Sequence, residues 1–170
     1  MKHLQISAVT MTLLLSFNVH AGKDDFKLPI KVDSKTQFVD GKRKTSIFRE
    51  DVHISQGTLK IDADEVEVIA EEGKGKEIFI ARGKPAVYSQ TMDDGSAITA
   101  KANEIRYQVE TRMLDLNGAA ELYQDASMVK GEKISFNLEK EQLIAGTKGG
   151  ESRVTTVFQA EDDDDQQPQQ

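Results

Sequence analysis

Apolar and polar residues alternate along this chain with a period of two, and the alternation repeatedly slips by one position. From Val52 to Val68 it holds on both sides of Gly57 and slips once, at Asp64-Glu65. Side chains of a strand point alternately to its two faces, so one extra residue would turn the apolar side chains outward unless the strand bends there. The pattern therefore predicts β-strands interrupted by bulges or corners.

The slip recurs at Asn103-Glu104 and at Glu132-Lys133. A second motif ends on glycine and occurs three times, as Phe79-x-Ala81-x-Gly83, Leu114-x-Leu116-x-Gly118 and the weaker Gln142-x-Ile144-x-Gly146. Approximate repeats of this length are typical of stacked supersecondary units. The predicted fold class is all-β, an antiparallel sheet of many short strands that folds over on itself.

The first residues have the composition of a secretory signal. Met1-Lys2-His3 starts the chain with positive charge, Ile6–Phe17 is mostly apolar, and Val19-His20-Ala21 has the small-residue spacing of a cleavage site. The apolar stretch is shorter than the roughly 20 residues that a membrane-spanning helix needs. We therefore predict a cleaved signal peptide over residues 1–21, with a buried N-terminal helix as the alternative.

The remaining chain divides by composition into three parts. Residues 22–27 are predicted to be a flexible polar leader, 28–158 a single β domain, and 159–170 a disordered acidic and Gln-rich tail. The chain has no cysteine, so packing and strand pairing must hold the fold together. Its net charge is −7 and no basic stripe is present, so a nucleic-acid partner is not expected.

No arrangement of residues predicts catalysis, a metal site or a cofactor. His53, the one histidine after residue 21, is predicted to face solvent because it alternates with Val52 and Ile54. Asp62, Asp64 and Glu65 resemble part of a calcium loop, but the glycine and glutamate that complete such a loop do not follow. We read these acidic corners as turns and expect the protein not to be an enzyme.

The apolar face itself is the candidate site. It has no tryptophan and few aromatics, and it could be either the filled core of a β-sandwich or the lining of an open groove. Alternation leaves both interpretations open, since both need apolar side chains inside and polar ones outside. The predicted lining residues are Val52, Ile54, Leu59, Ile61, Val66, Val68, Ile105, Tyr107, Leu116, Leu122, Ile134 and Phe136.

Several blocks along residues 28–158 resemble the OstA-like family of lipopolysaccharide transport proteins. They are Pro29-Ile30-x-Val32, Val52-x-Ile54-x-Gln56-Gly57-Thr58-x-Lys60-Ile61-x-Ala63-Asp64, Gly75-Lys76-Glu77, Gly83-Lys84-Pro85-Ala86, Lys130-Gly131-x-Lys133-Ile134 and Arg153-Val154-Thr155-Thr156-Val157. The resemblance implies a jellyroll-like folded sheet of about sixteen strands. It further implies a groove that carries lipid A acyl chains across the periplasm.

The resemblance also implies partners. Copies of the chain would join head to tail, and proteins of the same fold at the inner and outer membranes (LptC-like and LptD-like) would continue the groove. Strand edges near the two ends of the domain suit this role, since uncovered edges accept a further strand. The predicted assembly residues are Ile30, Val32, Val154, Val157 and Phe158. The alternatives are a structural β-repeat protein with a filled core, a carbohydrate-binding domain, and a hydrolase, which the residue types disfavour.

Overall fold

The computed structural model describes residues 25–147 and 153–159, and these build one antiparallel sheet of ten strands. A single 3₁₀ turn, Asp25–Lys27, precedes the sheet. The strands are β1 (Lys31–Asp33), β2 (Thr36–Asp40), β3 (Thr45–Gln56), β4 (Leu59–Ile69), β5 (Ile78–Thr91), β6 (Ala97–Gln108), β7 (Met113–Gln124), β8 (Ser127–Asn137), β9 (Gln142–Gly146) and β10 (Thr155–Phe158).

Strands β3 to β8 follow one another as a meander, and two short strands complete each edge. On one edge β1 and β2 both pair with β3, and on the other β9 and β10 both pair with β8. The all-β antiparallel fold class is confirmed. The expectation of many short strands differs from the structure in one respect, because β3 to β8 are each 11 to 14 residues long.

Each long strand is bent at a bulge near its middle, and the bend explains the difference. The strand register shifts between Asp62 and Glu65 in β4 and between Lys101 and Glu104 in β6. A shift also occurs beside Gly131 in β8. These are the predicted phase slips, and each falls inside a continuous strand rather than between two. The ten strands thus replace the roughly sixteen that the resemblance implied.

The first two copies of the glycine motif mark bends, in β5 and β7, whereas the third copy ends at the last residue of β9. Gly83 lies inside β5 where the register shifts. Gly118 occupies the corresponding position in β7 with a φ of +75°. A Cβ at Gly118 would come within 2.8 Å of the Asn103 side chain, which stands at the bend of β6. Glycine is therefore required where one bend packs on the next.

The bends divide the sheet into two arms. Arm A contains β1, β10 and the strand segments within 52–63, 86–102 and 120–131, whereas arm B contains β2, β9 and segments within 45–49, 65–82, 104–117 and 133–137. The turns at 57–58, 92–96 and 125–126 end arm A and form rim A. The turns at 41–44, 70–77, 109–112 and 138–141 end arm B and form rim B. Both arms contribute their inner faces to a single apolar cluster.

The structure describes the last three residues of the predicted leader. Residues 25–27 were expected to belong to a flexible leader, but they form the 3₁₀ turn, and Asp25 is buried. Asp25 is held by the turn at Thr58, a tertiary contact that local composition does not report. The predicted signal peptide, residues 148–152 and nearly all of the predicted tail lie outside the described residues.

Candidate functional site

The candidate site is the inner face of the bent sheet. Eleven of the twelve predicted lining residues are buried there with at most 3% exposure, and Val68 is half-buried against them. The structure therefore brings all twelve into one apolar cluster. Lipid contact by these residues stays a prediction.

Cross-strand pairs align the inner side chains along the sheet. In arm B, Ile105 lies opposite Leu116, and Leu116 lies opposite Ile134 on the next strand. A parallel row runs from Phe79 through Tyr107, and the centroids of these two rings are 6.3 Å apart. Such rows are continuous across strands β5 to β8. A long apolar guest could follow them from one protomer edge toward the other.

A few polar side chains are buried within this apolar face. The Tyr88 hydroxyl donates a 2.5 Å hydrogen bond to Oε1 of Gln90, and both residues lie in β5. Burial raises the pKa of Tyr88 well above its ordinary value and raises that of Tyr107 to about 12. Both phenols are consequently neutral throughout the physiological range, so the interior carries no charge from them.

The predicted lining did not include these polar interior residues, although the sequence contains a signal for them. Gln56 shares the inward parity of Val52 and Ile54, and Gln90 shares that of Tyr88. Both side chains are 4% exposed, and Gln56 has a defined role described below.

The two rims approach each other across a mouth that opens to solvent. A cavity of about 270 Å³ lies between them. Its lining comes from both arms and from the segment before β1, namely Phe26, Gln90, Met92, Asp93, Asp94, Arg112, Leu138, Glu139 and Glu141. Met92 and Leu138 are buried and continue the apolar cluster up to this mouth. The mouth is therefore apolar at depth and mostly acidic at the surface.

The outer face carries the charged groups. His53 faces solvent as predicted, with Nδ1 2.5 Å from Asp62 Oδ1 and Nε2 3.2 Å from Asp51 Oδ1. The hydrogen bond to Asp62 is the main cause of a raised His53 pKa. Within the described ranges, no group of three or more acidic or histidine side chains could hold a metal ion. In the β4 corner, Asp62 pairs with His53, and Glu65 pairs with Arg49 and Arg82.

The predicted assembly residues lie on the two edges of the sheet. Ile30 and Val32 are half-buried beside β3, whereas Val154, Val157 and Phe158 are exposed on or next to β10. Sequence reasoning missed three further apolar edge residues, which are exposed in β2 and β9: Phe38, Val39 and Ile144. Alternation alone does not predict that these side chains are exposed. They lie in short edge strands, which have a neighbouring strand on one side only and are less covered than the central strands.

No helix in the described part of the chain is long and apolar enough to span a bilayer.

Comparison with known proteins gives consistent matches over most of the chain. Residues 31–142 match the family model described as LptA/(LptD N-terminal domain) LPS transport protein. The chain is 36% identical to the lipopolysaccharide export system protein LptA of Haemophilus influenzae, over 86% of each chain. It is 33% identical to the Escherichia coli K12 protein of the same name, over 91% of this chain and 84% of that one.

A solved structure has the same fold. The crystal structure of LptH from Pseudomonas aeruginosa, described as the LptA-homologous periplasmic component of a lipopolysaccharide transport device, superposes with a TM-score of 0.74. The match covers 81% of this chain and 99% of LptH at 26% identity. The bent sheet and its inner face are therefore shared with a protein of known architecture.

Proposed function

We propose a transport function because this chain belongs to the LptA/(LptD N-terminal domain) family of LPS transport proteins. In this proposal the protein is periplasmic, and it binds lipopolysaccharide and carries it from an inner-membrane exporter toward an outer-membrane translocon. The observation that carries the proposal is the apolar inner face of the bent sheet, on which the twelve lining residues belong to one cluster.

The physical chemistry of the inner face favours binding without catalysis. Each CH₂ group that moves from water into an apolar interior contributes about 0.8 kcal/mol. A few acyl chains would therefore hold a lipid firmly, and the sugars and phosphates could stay in water at the mouth. The buried polar groups of the inner face are neutral phenols and amides, which suit a passive binding surface.

The edges support assembly into a longer conduit. The N-terminal edge runs from arm A (β1) to arm B (β2), and the C-terminal edge runs from arm B (β9) to arm A (β10). If the C-terminal edge of one copy meets the N-terminal edge of the next with arms matched, the edges pair antiparallel. β9 would then lie beside β2, and β10 beside β1. The sheet and its inner face would continue without interruption.

This contact joins two different surfaces, so it leaves a free edge at each end of any chain of copies. We infer that copies of this chain join head to tail. LptC-like and LptD-like proteins of the same fold would then take the two free ends. Main-chain hydrogen bonds would supply most of the affinity, as in other cases of strand addition.

The test of lipid binding uses photo-crosslinking in living cells. A crosslinking amino acid at Ile54, which is buried on the inner face, should capture lipopolysaccharide. The matched control is the adjacent His53, which is exposed on the outer face, and it should capture none. Equal silence at Ile54 and at several other inner positions would contradict the proposal and favour a filled structural core.

The test of assembly replaces one exposed edge residue. Phe158→Lys places a charge on β10, where the native side chain is 76% exposed, so the fold should survive while the edge contact weakens. Light scattering should show a shift toward monomers. Thr111→Lys, in an exposed turn of rim B, is the control and should leave the size distribution unchanged. A native size distribution for the Phe158 variant would rule out this edge.

A further inference from the structure

The segment before β1 crosses the mouth of the folded sheet, and one side of it is attached to rim A. The Asp25 carboxylate accepts hydrogen bonds from the backbone N–H of Thr58, at 2.9 Å, and from the Thr58 hydroxyl. Gly57, with a φ of +62°, makes room for this carboxylate, which a Cβ at that position would overlap. Asp25 thus caps the β3–β4 turn, although it is not part of that hairpin.

The buried Gln56 side chain adds a second attachment to arm A. Its Nε2 donates to the carbonyl oxygens of Phe26, at 3.3 Å, and Leu28, at 2.9 Å. Its Oε1 has no hydrogen-bond partner among the described residues. A buried amide oxygen without a partner is unfavourable. The closed arrangement therefore leaves one polar group of the interior unsatisfied.

The Phe26 side chain reaches the opposite rim. Its ring centroid lies 4.4 Å from the guanidinium carbon of Arg112, in the β6–β7 turn of rim B. The ring also borders the cavity between the rims, together with Met92 of rim A and Leu138 of rim B. One short segment therefore contacts both rims and covers an opening that leads to the apolar inner face.

The lining of this cavity favours an apolar guest over an anionic one, since Met92 and Leu138 are apolar and most of the charged groups are acidic. Four carboxylates line it, from Asp93, Asp94, Glu139 and Glu141, against the one guanidinium of Arg112. An anionic phosphate would be repelled there, since like charges at close range disfavour each other. The cavity of about 270 Å³ is smaller than the roughly 300–1,000 Å³ of small-molecule sites, so it suits one chain rather than a whole lipid.

We propose that the cavity bordered by Phe26 is an acyl-chain subsite at a lateral entrance to the groove, and that residues 25–28 form a strap whose Phe26 ring narrows this entrance until a lipid chain displaces it. The proposal rests on the proposed lipid-binding function. The Phe26 ring and an acyl chain of the lipid would then compete for the same entrance. Binding affinity is then lowered by the fraction of molecules whose entrance is closed.

The first test weakens the strap without changing the rims. Phe26→Ala removes the ring, and the apparent Kd for purified lipopolysaccharide should fall by about three- to tenfold if the entrance is closed in most molecules. Leu28→Ala is the matched control: Gln56 binds the Leu28 carbonyl oxygen, which the variant keeps, and the exposed side chain does not line the cavity, so the Kd should be unchanged. An unchanged or higher Kd for the Phe26 variant would overturn the proposal.

The second test locks the strap in place. The chain contains no cysteine, so Phe26→Cys and Arg112→Cys can be joined selectively with a short, reducible bifunctional thiol reagent. The locked protein, purified from the periplasm, should take up fluorescent lipopolysaccharide at least tenfold more slowly than the same protein after reduction. Deacylated lipopolysaccharide, which retains the phosphates, should not compete.

The outcomes separate the strap from the underlying function. Equal uptake by locked and reduced protein would overturn the strap while lipid binding stands. No uptake by either form, or by the unmodified chain, would remove the proposed function and the strap with it. Competition by the deacylated molecule would replace the acyl-chain subsite with a phosphate site and so overturn the assignment.

Discussion

The inner and outer faces of the same bent strands are stabilised by different interactions, apolar burial inside and exposed ion pairs outside. Inside, Ile105 is fully buried among apolar side chains from neighbouring strands. Outside, at the same bend, Arg82 lies 3.0 Å from Glu104, 3.4 Å from Glu65 and 3.5 Å from Glu67. Apolar burial is the dominant favourable term in folding, whereas exposed ion pairs contribute little. Stability is therefore concentrated on the surface that we propose binds the cargo.

This overlap has a cost for the protein. A groove must admit a guest, yet its lining also supplies the core that keeps the sheet bent. Substitutions inside should therefore change stability and lipid binding together, and substitutions outside should change neither by much. Adjacent residues of one strand make this comparison directly, because they share a backbone and differ only in the face they occupy.

The largest effect is expected from adjacent substitutions in β6. Ile105→Ala should lower the free energy of unfolding by about 2–5 kcal/mol, since it removes buried methyl groups and leaves a cavity. Arg106→Ala, one residue along on the outer face, should change it by no more than about 0.5 kcal/mol. Urea denaturation measures both. Similar losses at the two positions would contradict the division between faces.

A smaller effect is expected at the outer bend. Arg82→Gln removes the cation shared by Glu65, Glu67 and Glu104 and should cost about 1 kcal/mol or less, because the arginine is 41% exposed. Thermal unfolding at low salt and at about 1 M salt tests the electrostatic origin, since the screening length falls to about 3 Å at 1 M. The difference from the native protein should shrink at high salt. A difference that is independent of salt would point to lost packing instead.

The smallest effect is expected at His53 and depends on pH. The hydrogen bond that His53 Nδ1 donates to the Asp62 carboxylate raises the pKa of His53 above its ordinary value of 6.5, so the folded state holds the proton more tightly than the unfolded state. This contribution to stability is complete below about pH 6.5 and is lost as the pH rises through the folded pKa.

The corresponding variant is His53→Gln. It should melt slightly below the native protein at about pH 6, and the two should converge at about pH 8.5, above the titration. Nuclear magnetic resonance of the His53 ring gives the pKa directly. A pKa at or below 6.5 would contradict the raised value, as would an equal difference in melting temperature at both pH values.

Much of the fold could be predicted because it depends on local alternation. The phase slips at Asp64-Glu65, Asn103-Glu104 and Glu132-Lys133 locate bends in three strands, and inward parity identifies the buried side chains. The bend in β3 gave no comparable signal. It uses Glu50 and Asp51 with φ of +63° and +57°, a left-handed conformation that ordinary residues adopt only when tertiary contacts require it.

The strap could not be predicted, for a related reason. Asp25 and Phe26 belong to a short polar stretch without periodicity, and composition alone classes such a stretch as a leader. Its order comes from Thr58, Gln56 and Arg112, which lie far away in sequence. Only the bend, which brings the two rims together, creates the place where these residues meet. Whether the inner face is occupied by lipid is likewise beyond what alternation encodes.

The bend also determines which dimension of the sheet would change if residues were inserted in its hairpin turns. Every hairpin turn from β2 to β9 lies on a rim, so extra residues there would deepen the trough without lengthening it. Length along the axis comes only from the number of strands, at about 4.8 Å for each. In an assembly joined through its edges, each copy would add eight strand positions, or roughly 38 Å. The length of such a conduit could therefore change only by whole copies, and it would match the distance between two membranes only in steps of that size.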